Sequence, residues 1–283
     1  MDDLWYSEYH TPSVRFSIKV NHQLHHEKSN YQTISVFDSP EFGRFLTLDG
    51  IMMLTERDEF IYHEMITHPA MAANPSISQV LVIGAGDGGV LRELAKYSQI
   101  QQIHVVEIDE RVVEVCKKYL EKTACGFADP RIQLYFQDGL KFIRHKENTY
   151  DLIIVDSTDP FGPGEVLFTK EFYGSCFKAL TQQGILINQH ESSFYKNDIK
   201  EMQAAHGCIK QIFPISQVYQ AHIPTYPSGH WLFGFASKGI EPLKNLKEKE
   251  WNQLGISTRY YNTQLHSGAF ALPNYVKELL GDE

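Results

Sequence analysis

No run of this 283-residue chain approaches the roughly 20 apolar residues that a membrane helix needs. A positive balance is missing too: 26 Lys and Arg stand against 35 Asp and Glu, a net charge of −9. That disfavours nonspecific binding to nucleic acid or an anionic membrane surface, and tolerates cationic small molecules. The opening "MDDLWYSEYH" is acidic and has no apolar core, so no secretory signal is expected. The four cysteines, Cys116, Cys125, Cys176 and Cys208, form no CxxC pair. They read as reduced, partly buried thiols of a cytoplasmic protein. Histidine is plentiful, and "HQLHHE" (His22 to Glu27) is its densest cluster. It lies in an alternating, strand-like stretch with no second ligand group, so no metal is expected there. There is no internal repeat.

What is present divides in two. Residues 1–55 read as a small antiparallel β domain. "VRFSIKV" and "YQTISVF" alternate at period two, and Asp49-Gly50 between two apolar runs is a strong hairpin signal. "ERDEFIYHEMITHPAMAA" (Glu56 to Ala73) has apolar residues at helical spacing and leads into a second domain, residues 56–283. There the short apolar runs "QVLVIG", "QIHVVEI", "IQLYF", "DLIIVD" and "GILINQ" are strands, the early ones separated by amphipathic helices. This alternation predicts a doubly wound, mostly parallel, Rossmann-like α/β sheet with ligands at the carboxyl ends of its strands. "SQVYQAHI" and "HWLFGFAS" are expected to close it as antiparallel strands.

"VIGAGDGGVLREL" satisfies GxGxxG through Gly84, Gly86 and Gly89, and Glu107 ends the next strand where a ribose-binding acid belongs. The pattern fits dinucleotide and S-adenosyl enzymes alike. Asp87 helps to decide between them, because a carboxylate inside the turn repels a pyrophosphate and attracts a sulfonium nucleoside. At about 4 Å and an effective dielectric near 20, one charge pair is worth roughly 4 kcal/mol. Asp138 in "QDG" is placed to accept a hydrogen bond from an adenine amino group, with Gly139 leaving room beside it; helix capping is the structural alternative. "VDSTDPFGPGE" (Val155 to Glu165) ends a buried strand with two acids, Asp156 and Asp159, and no cation. Taken singly, these acids are also ordinary turn residues, and Tyr62 and His63 ordinary core residues of a helix.

In order and spacing, "LDGIMMLTERDEFIYHEM", "GAGDGG", "EID", "QDG", "VDSTDPFGP" and "IPTYPSGHW" closely resemble the spermidine synthase (polyamine aminopropyltransferase) family, over nearly the whole chain. The resemblance implies transfer of an aminopropyl group from decarboxylated S-adenosylmethionine to putrescine, giving spermidine and methylthioadenosine. It implies no metal or resident cofactor, and a homodimer or homotetramer. Gln32, Asp87, Glu107, Asp138, Gly139 and Pro163 would contact the nucleoside donor. His63, Asp87, Asp156, Asp159 and Trp5 would line the polyamine site, with Asp156 as the acid–base residue and Tyr62 and Tyr226 orienting the amine. Two departures stand out. Ala85 replaces a glycine of the usual "GGGDGG" and is expected to change little, and Met53 stands where many members carry glutamine, so that one polar nucleoside contact is absent or replaced.

The residues agree with that implication. A methyltransferase must accept its cofactor's carboxylate, which Asp87 would repel, whereas the decarboxylated donor presents only an ammonium. Two separated acids suit a dication. Freeing an amine of pKa near 10.4 at pH 7.4 costs about 4 kcal/mol, and an ordinary Asp is mismatched as its base by about six units. Asp156 is therefore expected to aim the nitrogen, with desolvation, the sulfonium and Tyr62 assisting an in-line displacement. Other amines as acceptors (agmatine, cadaverine, spermidine), an S-adenosylmethionine methyltransferase, and a nonenzymatic nucleoside binder are the competing readings.

Overall fold

Asp49 and Gly50 both take positive φ, 50° and 80°, the geometry of a two-residue hairpin turn whose twist matches its strands. The computed structural model describes residues 4–157 and 162–281. In it, β1 (Trp5–Thr11) and β2 (Val14–Lys19) form an antiparallel hairpin. β3 (His22–Lys28), β4 (Thr33–Ser39), β5 (Gly43–Leu48) and β6 (Ile51–Thr55) follow as a four-stranded antiparallel sheet in chain order. The Asp49-Gly50 turn joins β5 to β6, as its sequence predicts.

α1 (Glu59–Ala73) begins three residues later than the apolar periodicity implied, because Asp58 is spent elsewhere. Its Oδ1 accepts from Thr55 Oγ1 at 2.6 Å, and its Oδ2 accepts from Thr225 N and Oγ1 at 3.0 and 2.7 Å. All of α1 but Phe60 is buried. Such a helix serves as a packed spacer against the sheet rather than as a solvent-facing crossover.

The second sheet is built from β7 (Gln79–Gly84), α2 (Gly89–Ala95), β8 (Gln102–Glu107), α3 (Glu110–Tyr119), the single turn α4 (Glu121–Ala124) and β9 (Ile132–Phe136). α5 (Gly139–Ile143), β10 (Tyr150–Asp156), α6 (Lys170–Ala179), β11 (Leu180–Gln189) and α7 (Lys196–Ile212) continue it. β12 (Ile215–His222) and β13 (His230–Ser237) end it, and short helices α8 (Glu248–Gln253), α9 (Thr263–Ala269) and α10 (Asn274–Leu280) cover the late part. The strand order is β12-β13-β11-β10-β7-β8-β9. β7 to β11 are parallel; β13 and β12 pair antiparallel, as expected of the late apolar runs. The chain winds from β7 outward through β8 and β9, then returns through β10 and β11 on the other side. The switch point thus lies between β7 and β10, where an open α/β sheet presents its crevice.

The N-terminal sheet is not a loose appendage. Ile34, Val36, Leu46 and Leu54 share one buried core with Val112, Val115 and Cys116 of α3 and with Leu120. This apolar contact brings the β3–β4 turn over the carboxyl ends of the parallel strands.

Candidate active site

Each parallel strand delivers a cavity-lining residue at or just past its carboxyl end. These are Gly84 to Asp87 after β7, Glu107 on β8, Asp138 after β9, Asp156 on β10 and Gln189 on β11. Glu8, His10, Gln32, Met52 and Met53 wall the same cavity from the N-terminal region.

The β7 turn is tied directly to β10. Gly84 has φ 89°, and a Cβ there would stand 1.8 Å from the Asp156 carbonyl oxygen. The same carbonyl accepts from Ala85 N at 2.9 Å. Ala85 itself takes φ 62°, a left-handed conformation that costs an L-residue roughly 1–2 kcal/mol. The expectation that this alanine changes little is therefore corrected, since the departure falls on a position whose backbone favours glycine. At the head of α2, Asp87 Oδ1 accepts from Gly89 N at 2.6 Å. The helix N–H that a phosphate would use is taken by a side chain of the protein, which strengthens the case against a dinucleotide.

At the nucleoside end, Glu107 is buried and its Oε1 accepts from Asp109 N at 2.9 Å. Burial raises its pKa to about 7, against the backbone hydrogen bonds that lower it. Gln32 Nε2 donates to Asp109 Oδ2 at 3.1 Å, and Ser29 Oγ donates to the same oxygen at 2.6 Å. Asp109, unremarked in "EID", is thus the tie that holds the β3–β4 turn over Glu107. Asp138 lines the cavity and also caps α5, its Oδ1 accepting from Lys141 N at 3.0 Å. The capping reading is thus observed, and, one oxygen being enough for the cap, it does not compete with the adenine contact expected of the other. Gly139 lines the cavity beside Asp138. A Cβ there would meet Ile83 Cγ2 at 2.6 Å, so the glycine also lets α5 pack on β7. Met53 lines the cavity with an apolar side chain. Pro163 belongs to a 3-10 turn, Gly162–Phe168, of which Gly164, Val166 and Leu167 line the cavity.

At the other end, Tyr62 Oη donates to Asp156 Oδ1 at 2.7 Å. Asp156 Oδ2 is buried with no hydrogen-bond partner among the described residues. Burial first, then the charge of Asp87, raises the Asp156 pKa to about 7, against the pull of His63 and Tyr62. The six-unit mismatch with an amine thus narrows to about three. Burial likewise raises the Tyr62 phenol, so it stays a donor.

The acids are not without a cation. His63 is buried on α1, its Nδ1 2.5 Å from Glu59 Oε2 and its Nε2 3.2 Å from Asp87 Oδ1. Desolvation opposes the imidazolium, but Asp87 and Glu59 outweigh it and raise the pKa well above the ordinary value. His63, Asp87 and Asp156 offer ligand atoms within 4.8 Å of one another. Both ring nitrogens already face carboxylates, so His63 has no lone pair to give a metal.

Tyr226 lines the cavity, with its Oη donating to Met53 O at 2.9 Å and its ring 6.2 Å from that of Tyr62. Trp5 is not brought in: it lies on β1, 54% exposed, outside the cavity lining, while Glu8 and His10 of the same strand line it. Asp159 lies outside the described residues. Sequence reasoning missed Glu59, whose i,i+4 spacing to His63 was a legible signal, and Gln189 and Glu191, a buried pair in which Gln189 Nε2 donates to Glu191 Oε1 at 2.6 Å.

Comparison with known proteins agrees. Residues 59–248 match a family described as the spermine/spermidine synthase domain, and residues 4–56 a spermidine synthase tetramerisation domain. A polyamine aminopropyltransferase of Alkaliphilus oremlandii is 65% identical over 99% of both chains, and one of Clostridium beijerinckii 62% over 98% of both. A crystal structure of spermidine synthase in complex with the transition state analogue AdoDATO superposes with a TM-score of 0.96 at 42% identity. It covers 99% of this chain and 96% of that one. Spermidine synthase from Thermotoga maritima gives 0.95 at 41%, covering 99% and 95%. Both sheets fall within these matches and the likeness runs the length of the chain, so this chain belongs to the spermine/spermidine synthase family of polyamine aminopropyltransferases.

Proposed function

We propose that the chain transfers the aminopropyl group of decarboxylated S-adenosylmethionine to putrescine, releasing spermidine and methylthioadenosine. The observation that carries this reading is the buried Asp156 Oδ2, without a partner among the described residues, beside Tyr62 and across from Asp87 at the glycine turn. Glu107 and Gln32 would hold the ribose, Asp138 and the Gly162–Phe168 turn with Pro163 the adenine, and Asp87 the donor's ammonium. The acceptor's attacking nitrogen would lie between Asp156 Oδ2 and Tyr62 Oη. The latter donates to Asp156 and keeps lone pairs free to accept an amine N–H. His63 and Tyr226 wall this end, and Asp159 follows in sequence.

The nitrogen lone pair attacks the aminopropyl carbon bonded to sulfur, a C–N bond forms, and the C–S pair stays on sulfur as a neutral thioether. With Asp156 raised to about 7, proton transfer from an amine of pKa near 10.4 is uphill by about 4–5 kcal/mol. A turnover near 10 per second corresponds to a barrier of about 16 kcal/mol, which leaves ample room for displacement after that step. Asp156 is thus a workable proton acceptor as well as an aiming group. Orientation and desolvation supply the remainder. The match to a tetramerisation domain supports a homodimer or homotetramer. The free cysteines, two of them buried, support a cytoplasmic setting, and among the described residues no helix is long and apolar enough to cross a membrane.

The test is incubation with decarboxylated S-adenosylmethionine and putrescine, agmatine, cadaverine or spermidine, products being identified by mass. Putrescine is expected to give the highest kcat/KM. Preference for another amine overturns the acceptor, and absence of methylthioadenosine with every amine overturns the reaction.

A further inference from the structure

The contacts of the Glu59 carboxylate, at the cavity wall, do not end at His63. Arg92 Nη1 and Nη2 donate to Glu59 Oε1 and Oε2 at 2.8 and 2.9 Å, a two-pronged pair. Arg92 Nε donates to Glu93 Oε1 at 3.0 Å. Glu93 Oε2 is held in turn by Lys96 Nζ at 2.5 Å and lies 3.0 Å from His68 Nε2. Charges of alternating sign therefore run from Asp87 through His63, Glu59 and Arg92 to Glu93. Glu59 and Glu93 are buried and Arg92 mostly so. Of these last three, Glu59 reaches the cavity lining, while Arg92 and Glu93 lie outside it.

The geometry fixes the charge on His63. A neutral imidazole has one nitrogen that only accepts, and a carboxylate facing it finds no proton. Here both nitrogens face carboxylates, so both must donate. Arg92 keeps Glu59 in place and anionic. Gly89 reserves the space, since a Cβ there would lie 2.2 Å from His63 Cε1. The groups facing the ring from every side are Glu59 and Tyr62 of α1, Asp87 of the turn, Asp156 of β10 and, one step back, Arg92 of α2.

We propose that Glu59 and Arg92 are positioning residues that hold His63 as a permanent imidazolium, whose charge offsets the repulsion between Asp87 and Asp156. Two carboxylates this close otherwise share a proton, which would remove one of the two cation sites. His63 thus acts on the substrates through its flanking acids, as the counter-ion that lets an anionic site stand empty between turnovers.

This inference rests on the proposed aminopropyl transfer, and its test has an arm that does not. In the protein labelled with 13C-histidine, the His63 resonance is expected to stay at the protonated position up to pH 9. In Glu59→Gln it should titrate at least one pH unit lower, as loss of an adjacent opposite charge requires. In kinetics, the acidic limb of kcat/KM should move up by about one pH unit in Glu59→Gln and Arg92→Gln, and return toward wild type in Arg92→Lys. A purely structural role would lower kcat/KM at all pH values without moving the limb, and that outcome overturns the proposal. So does wild-type His63 titrating near 6.5. If Glu59→Gln does not fold, Arg92→Gln against Arg92→Lys decides the same question. If no amine is aminopropylated, the reaction reading fails while the NMR titration still decides the charge of His63.

Discussion

Replacing Asp156 by Asn should move activity and stability in opposite directions. The amide matches the carboxylate in shape and keeps an acceptor for the 2.7 Å bond from Tyr62. It removes the anion that Oδ2 presents to the cavity. A charge-assisted hydrogen bond is worth about 1.5–3 kcal/mol, and loss of the proton acceptor adds to that. We therefore expect kcat/KM for the amine to fall by at least about 10²-fold, while methylthioadenosine binding stays within about threefold. Stability should rise. The Asp156 pKa is about 7 in the fold and near 3.9 in the unfolded chain. A raised acid contributes its stabilisation below the unfolded pKa and loses it as pH climbs through 7. Wild type thus carries a penalty of up to about 4 kcal/mol at pH 8 that falls to about 1–2 kcal/mol at pH 5 and vanishes near pH 4. The amide variant carries none. Thermal unfolding of the ligand-free protein should show a Tm for Asp156→Asn above wild type by several degrees at pH 8, with the gap closing toward pH 4. Equal Tm at both pH values, or activity within about threefold, would falsify the role given to this residue.

Asp87→Asn should weaken decarboxylated S-adenosylmethionine by about 30–100-fold, the loss of one charge-assisted contact. It should narrow the preference over intact S-adenosylmethionine at least tenfold, read from competition by the latter; an unchanged ratio would remove Asp87 as the discriminator. Gly89→Ala puts a methyl within 2.4 Å of the buried His63 ring and should cost about 1–3 kcal/mol by overpacking. A Tm within 1 °C of wild type would show that the ring yields freely. Ala85→Gly relieves the left-handed alanine, worth about 1–2 kcal/mol, less the greater freedom of glycine in the unfolded chain, about 0.4–1 kcal/mol. A Tm gain of about 2 °C is expected, and a lowered Tm would mean that the buried methyl matters more than the backbone.

What the residues disclosed and what they hid follow a physical divide. Strand alternation, the Asp49-Gly50 turn and the five apolar runs are local patterns, so the two sheets and even the late antiparallel pair were legible. Glu107, Asp138 and Asp156 were legible because strand ends in a doubly wound sheet converge. Arg92 was not, since no spacing connects residue 92 to residue 59; only packing of α2 on α1 does. The charge of His63 was hidden for the same reason, and so was the raised pKa of Asp156, which burial and Asp87 produce against the pull of His63. The glycine of "QDG" lines the cavity as expected of it, but its second constraint, close packing on Ile83 of another strand, is a contact that no local pattern announces. Trp5 failed in another way: alternation along β1 turns Glu8 and His10 inward and leaves Trp5 and Tyr9 outside.

The bond from Ala85 N to the Asp156 carbonyl, with Gly84 leaving no gap between them, acts as a ruler. The glycine turn and the acid come from different strands, yet a main-chain bond ties one to the other. Side-chain exchange around the cavity need not break that tie. On the proposed reaction, enzymes with another acceptor amine are therefore expected to differ at the walls, among Glu8, His10, Gln189 and Glu191, and to keep the tie.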